Sequence, residues 1–175
     1  MKRFTLLPLV ALALTACGDG SDPISVAPVF AQGGSGNPHF LRADASIGNA
    51  AQLVVSFKEA GLGSNVQINY EMLADASAIY YCINGGQKNP NAANKTEVTA
   101  PISATGTFSS GKNGSIVNSL QAGPPGPGAF ACPPGQQLRF GEVSYSNIEL
   151  HDRSTPVAAN VSPQALSRVD FVPES

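Results

Sequence analysis

From Phe40 onward, apolar and polar positions alternate in short runs separated by turn-forming residues, the period-two pattern of half-buried strands. Leu53 to Phe57 (LVVSF) is the first clear strand, and Gly61-Leu62-Gly63-Ser64-Asn65 reads as the turn after it. Val66, Ile68, Tyr70 and Met72 then alternate with Gln67, Asn69 and Glu71, which gives a strand with one apolar face. Ser77 to Ile83 (SAIYYCI) has Tyr80 and Cys82 on one face and Ile79, Tyr81 and Ile83 on the other, and this two-sided apolarity predicts a central strand. Val98 to Thr105 and Thr107 to Ser109 precede a Ser110-Gly111-Lys112-Asn113-Gly114 turn and a further run, Ser115 to Leu120. Because Asn-Gly readily takes positive φ, that turn predicts a hairpin.

Gly123 to Gly128 (GPPGPG) contains two collagen-like triplets, too few for a triple helix, and predicts a rigid extended connector. Gln137 to Arg139 and Glu142 to Leu150 follow as strands whose Val143, Tyr145 and Ile148 can reach a core, and Arg168 to Val172 adds a last strand or an edge cover. About seven to nine short strands at roughly even spacing predict an all-β fold, an immunoglobulin-like antiparallel β-sandwich, with a small Greek-key β-barrel as the alternative. The absence of Trp departs from true immunoglobulin domains, so the expectation concerns architecture only.

The N-terminus has a different pattern. Lys2 and Arg3 precede an apolar run, Phe4 to Leu14, and then small residues, which is the layout of a secretory signal. The run is shorter than the roughly 20 residues that a membrane span needs. Leu14-Thr15-Ala16-Cys17 resembles the lipobox of bacterial lipoproteins. That resemblance implies cleavage before Cys17, a diacylglycerol on its thiol and acylation of the new amino terminus, and two or more chains anchor firmly where one is marginal. It implies three regions: a signal peptide over 1–16, a lipid-anchored flexible linker over 17–38 and one β-sandwich domain over 39–175. It also implies a place in the bacterial cell envelope, with the membrane as a partner through Cys17. Gly18, where an Asp would favour the inner membrane, points to the outer membrane or cell surface. An ordinary signal peptide cut near Ala16 is the other reading.

Loss of Lys2 and Arg3 with the signal lowers the basic count from 10 to 8 against 12 acidic side chains, a net charge of −4. No basic run gives an electrostatic footprint for nucleic acid. Three cysteines leave one odd, and the lipobox takes Cys17, so Cys82 and Cys132 are left as a disulfide pair in an oxidising compartment. Such a bridge closes a loop of about fifty residues, for which chain entropy gives roughly 4 kcal/mol. Two buried free thiols are the alternative. The segment Gly18 to Pro38 is rich in Gly, Pro and Ser and spans about 25 Å as a coil of about 20 residues. Asp19 and Asp22 lack the rest of a calcium-loop pattern.

No nucleophile elbow, zinc-protease helix or P-loop is present, and no metal or other cofactor is expected. His39 and His151 are the expected candidates for a general base or a metal ligand. A hydrolase using His151 with Ser144, Ser146 or a carboxylate is the enzymatic alternative to a non-enzymatic module. Glu142, Glu149 and Asp152 form an acidic patch only if a bulge brings Glu142 and Glu149 to one face. The preferred binding candidate is the polar loop Asn84 to Lys95, since long loops on rigid scaffolds are where binding tends to sit. It offers Gln87, Lys88, Asn89, Asn91, Asn94 and Lys95, with Tyr80 and Tyr81 at its root. Amides and tyrosines suit a glycan, and a protein partner is equally open.

Overall fold

The computed structural model describes residues 36–84 and 94–172. The lipobox with Cys17, the linker up to residue 35 with Asp19 and Asp22, and Gln87, Lys88, Asn89 and Asn91 lie outside the described residues. The described residues form β1 (His39–Ile47), β2 (Leu53–Ala60), β3 (Gln67–Ile83), β4 (Lys95–Ser109), β5 (Ser115–Ala122), β6 (Gln137–Asp152), β7 (Val157–Ala158) and β8 (Leu166–Val169). One sheet has the order β1-β2-β5, and the other runs β4-β3-β6-β7 with β8 also paired to β6. Every ladder is antiparallel. The two sheets pack face to face without closing into a barrel, so the chain is a β-sandwich.

The core follows from the alternation. Leu53, Val55 and Phe57 on β2, with Ile116 and Leu120 on β5, face Ile68, Tyr70 and Met72 on β3 and Val143, Tyr145 and Leu150 on β6. Each such side chain contributes about 1.5–3 kcal/mol when fully buried. Phe40, Phe57, Tyr70 and Phe108 meet as a ring cluster, the closest pair being Phe57 and Tyr70 at 4.6 Å between centroids.

Four expectations need correction, the first being that Val98–Thr105 and Thr107–Ser109 are one strand, β4, with Gly106 kept in the ladder opposite Tyr70. Val66–Met72 and Ser77–Ile83 are one strand, because Leu73, Ala74, Asp75 and Ala76 keep the alternation and contain no breaker, with Ala74 and Ala76 buried. Gln137–Arg139 and Glu142–Leu150 likewise merge into β6, with Gly141 and the Asn147–Ile148 step absorbed as bulges. Asn147 takes φ 51° there, a conformation Asn tolerates. The Ser110–Gly114 turn is not a hairpin. Its strands belong to different sheets, because β3 pairs with β4 along its length while β2 pairs with β5. Buried Ser110 explains the crossing: its Oγ donates to Gly63 O (2.6 Å) and accepts from Val66 N (3.0 Å), while Leu62 N donates to Gly114 O (3.0 Å). The turn is thereby tied to the 61–65 turn and sends β5 over to the opposite sheet.

The sheets differ in length, eight residues in β2 against 17 in β3. The inner face of the far half of β3, Ala78 to Cys82, therefore lies beyond the β2 layer, yet it is buried. The proline-rich connector supplies the missing cover. Tyr80 Oη donates to Pro125 O (2.7 Å), and Cys82 and Cys132 are bonded, with Cα atoms 5.3 Å apart. The expected disulfide is present, and it pins this strap to the end of β3.

Removal of both cysteines, Cys82→Ala with Cys132→Ala, is expected to lower stability by about 2–4 kcal/mol in urea unfolding. Fluorescence of the two tyrosines nearest the strap should change before the main transition. A single unaltered transition would mean that the strap needs no pin.

Candidate functional site

Tyr80 and Tyr81 are adjacent and therefore face opposite ways, so they do not form one binding surface. Tyr80 points inward, 8% exposed, with its hydroxyl spent on Pro125 and its ring on Phe140 at 5.5 Å. Tyr81 points outward beside Lys95, whose Nζ lies 5.8 Å from its ring centroid, and packs edge-on against Phe171 at 6.1 Å. Register places Lys95 on β4 and Arg139 on β6 on either side of Tyr81. The row below it is Glu97, Ile79 and Glu142. Asn94 is half-exposed just before β4.

Gly141 builds this corner. It is the extra residue of a β6 bulge, and a β-carbon there would collide with the Tyr81 ring. Its carbonyl also accepts from Asp170 N (2.7 Å) and Phe171 N (3.0 Å), which fixes the C-terminal segment against the sheet. Beside it opens a pocket of about 430 Å³ lined by Ile83, Arg139, Phe140, Asp170 and Phe171. Hydrogen bonds from Arg168 hold the Asp170 carboxyl below the usual carboxylate range, at 2.6 and 2.7 Å. Arg139 and Phe171 escaped the sequence reading. Arg139 reaches Tyr81 through the β3–β6 ladder and Phe171 through the Gly141 carbonyl, neither of which alternation along one strand signals.

His151 is partly exposed on the outer face, and its Nε2 lies 2.9 Å from Glu149 Oε2. Ser144 and Ser146 pair with Ser77 and Asp75, several residues along the strand from His151, which pairs with Glu71. No serine hydroxyl hydrogen-bonds to the imidazole among the described residues. The Asn147 bulge does bring Glu142 and Glu149 to one face, but their partners Ile79 and Leu73 are six residues apart, about 20 Å. Asp152 is buried on the inner face. The three acids therefore do not converge.

Asp152 instead joins a buried cluster that the sequence did not reveal. Glu59 of β2 is fully buried, and Tyr70 Oη donates to its Oε2 at 2.7 Å. Its Oε1 has no partner among the described residues. Burial raises the Glu59 pKa from 4.5 to about 7; the Tyr70 hydrogen bond opposes that shift, Asp152 adds to it, and His39 opposes it weakly. Asp152 itself accepts from Ser154 N (2.6 Å), Thr155 N (3.1 Å) and the Thr155 hydroxyl. Tyr70 is the register partner of Asp152, so the cluster links the two sheets at one end of the sandwich.

No family model matches the chain, and neither a curated protein nor a solved structure matches it.

The Glu59 shift has a definite sign. A raised carboxyl pKa means that the fold prefers the protonated acid, so this contribution is complete below about pH 4.5 and is lost as pH rises through about 7. Its size is roughly 3 kcal/mol. Thermal midpoints measured from pH 4.5 to 8 should fall over that window, and Glu59→Gln should flatten the fall and raise the midpoint at pH 8. Parallel curves for the two proteins would rule the assignment out.

Proposed function

We propose that this chain is a lipid-anchored cell-envelope protein whose β-sandwich is a non-enzymatic binding module presenting the Tyr81 corner to a ligand. The observation that carries the reading is the placement of two ends. The domain begins at His39, and Phe40 packs against Tyr70 near the start of β3. Tyr81 lies eleven residues further along the same strand, about 36 Å away. An anchor on Cys17 would therefore reach the domain at the His39 end of the sandwich and leave the Tyr81 corner at the other. Rigid strands hold the corner, and the Asn84–Lys95 loop begins and ends beside it.

A second reading, an envelope hydrolase, has the His151–Glu149 pair in its favour. It requires a nucleophile or an activated water beside that imidazole, and predicts that His151→Asn abolishes hydrolysis of any ester or glycoside the protein cleaves.

Labelled palmitate should enter the wild-type protein and not Cys17→Ser, and the variant should leave the membrane fraction. Unchanged labelling would refute the anchor. For the module, retention on immobilised envelope polysaccharide should fall at least fivefold in Tyr81→Ala while His151→Asn leaves it unaltered; retention insensitive to Tyr81 would refute the site.

A further inference from the structure

The chemistry of the Tyr81 corner narrows what it can hold, and the inference rests on the binding-module reading above. We infer that the corner takes an acidic saccharide, a pyranose ring bearing a carboxylate or phosphate. Three observations lead there.

The first is charge. The whole chain is acidic, with 12 Asp and Glu against 10 Lys and Arg. The Tyr81 row nevertheless carries a cation on each side, Lys95 and Arg139, and both are exposed. The nearest carboxylate on the C-terminal segment, Asp170, is neutralised by two hydrogen bonds from Arg168, which also donates to Gly48 O and Asn49 O and so cannot turn away freely. Arg139 makes no ion pair among the described residues. The Tyr81 row is thus cationic on an acidic protein, which favours an anion at that row.

The second is shape. Tyr81 and Phe171 meet edge-on at 6.1 Å, so the corner presents aromatic carbon next to an open pocket of about 430 Å³. Adjacent strands are about 4.8 Å apart, which sets the Lys95 and Arg139 backbones about 10 Å apart with Tyr81 between them. That spacing brackets one sugar ring. A bare anion has no use for the aromatic surface, and an apolar ligand has none for the two cations. A ring with apolar C–H faces and an acid group uses both.

The third is the boundary. Glu97 and Glu142 flank Ile79 in the next row, and Ser77 Oγ donates to Glu97 Oε1 at 2.7 Å. These carboxylates repel an acid group placed lower on the sheet, so they orient a bound acidic sugar with its charge toward the Lys95–Arg139 row.

The test is calorimetric titration of the mature chain in detergent with tetragalacturonate, glucose 6-phosphate, neutral maltotetraose and inorganic phosphate. The expected result is at least tenfold tighter binding of one or both acidic sugars than of maltotetraose or phosphate, weakening as salt is raised. Tyr81→Ala and Arg139→Gln should each lose at least fivefold, Tyr81→Phe should keep the affinity, and Lys58→Gln on the opposite sheet should have no effect. Unchanged thermal midpoints in these variants exclude misfolding as the cause. Equal binding of acidic and neutral sugars, binding of phosphate as tight as of the acidic sugars, or no binding of either acidic sugar would overturn the inference. If neither acidic sugar binds while Tyr81→Ala still releases the protein from envelope polysaccharide, the ligand class alone fails; if that release is also absent, the binding module fails with it.

Discussion

The constraint on which this structure turns is the mismatch between its two sheets. At about 3.3 Å per residue, the 17 residues of β3 extend about 56 Å and the eight of β2 about 26 Å. A sandwich needs both inner faces covered, since apolar area left in water forfeits about 25 cal/mol for each Å². Tyr145, the register partner of Ala76, bonds to Ala51 just before β2 begins, and beyond that point Ala78, Tyr80 and Cys82 lie outside the main core although they are buried. The Gly123–Gln136 segment cannot pair as a strand, because its prolines lack donors, but it can lie flat over the exposed half. A strap without a ladder needs other attachments, and the Tyr80–Pro125 hydrogen bond and the disulfide provide them. The bridge therefore fastens strap to sheet at one end, whereas the immunoglobulin bridge joins two sheets at the centre.

The two ends of β3 differ in kind as a result. At the end covered by sheet A, Tyr70 is surrounded by Phe40, Phe57, Glu59 and Asp152, and water is excluded. A carboxyl there is forced toward its neutral form by burial, and the nearby Asp152 carboxylate pushes the same way. At the other end only the inner face is closed. The outer face stays open to solvent, with Lys95 and Arg139 exposed beside Tyr81. One strand thus carries a buried end at which Tyr70 and Glu59 link the sheets and an exposed end at which Lys95 and Arg139 flank Tyr81.

Much of the architecture was legible from alternation alone. The inward side chains of β2 and β3 were identifiable because Val55, Phe57, Ile68, Tyr70 and Met72 recur at period two, and the disulfide was expected because the resemblance of Leu14–Cys17 to a lipobox leaves Cys82 and Cys132 as a pair. Alternation, however, is a property of one strand. It cannot say that β4 pairs with β3 while β5 crosses to β2, since that choice rests on a buried Ser110 hydroxyl bonded to Gly63 and Val66, 47 and 44 positions away. Nor can it show that Glu59, which sits at an inward position of an apolar strand, meets Tyr70 and Asp152 from two other strands. The bulges at Gly141 and Asn147 were equally hidden, and they decide which acids share a face.

The candidate site was half legible for the same reason. Tyr81 and Lys95 are neighbours across one ladder and flank the polar loop in sequence, so reading the loop found them. Tyr80 also flanks the loop in sequence, but adjacency in a strand puts it on the opposite face from Tyr81. Arg139 and Phe171 arrive from β6 and from the segment after β8, and what joins them to Tyr81 is one residue without a side chain. Gly141 makes room for the tyrosine ring and lends its carbonyl to two amides of the C-terminal segment. A larger residue there would displace the ring and loosen the segment together, so the aromatic surface and the pocket beside it stand or fall as one unit. The site is in that sense a consequence of the bulge, and the bulge lies in the overhanging half of β6 that the strap and the disulfide hold in place.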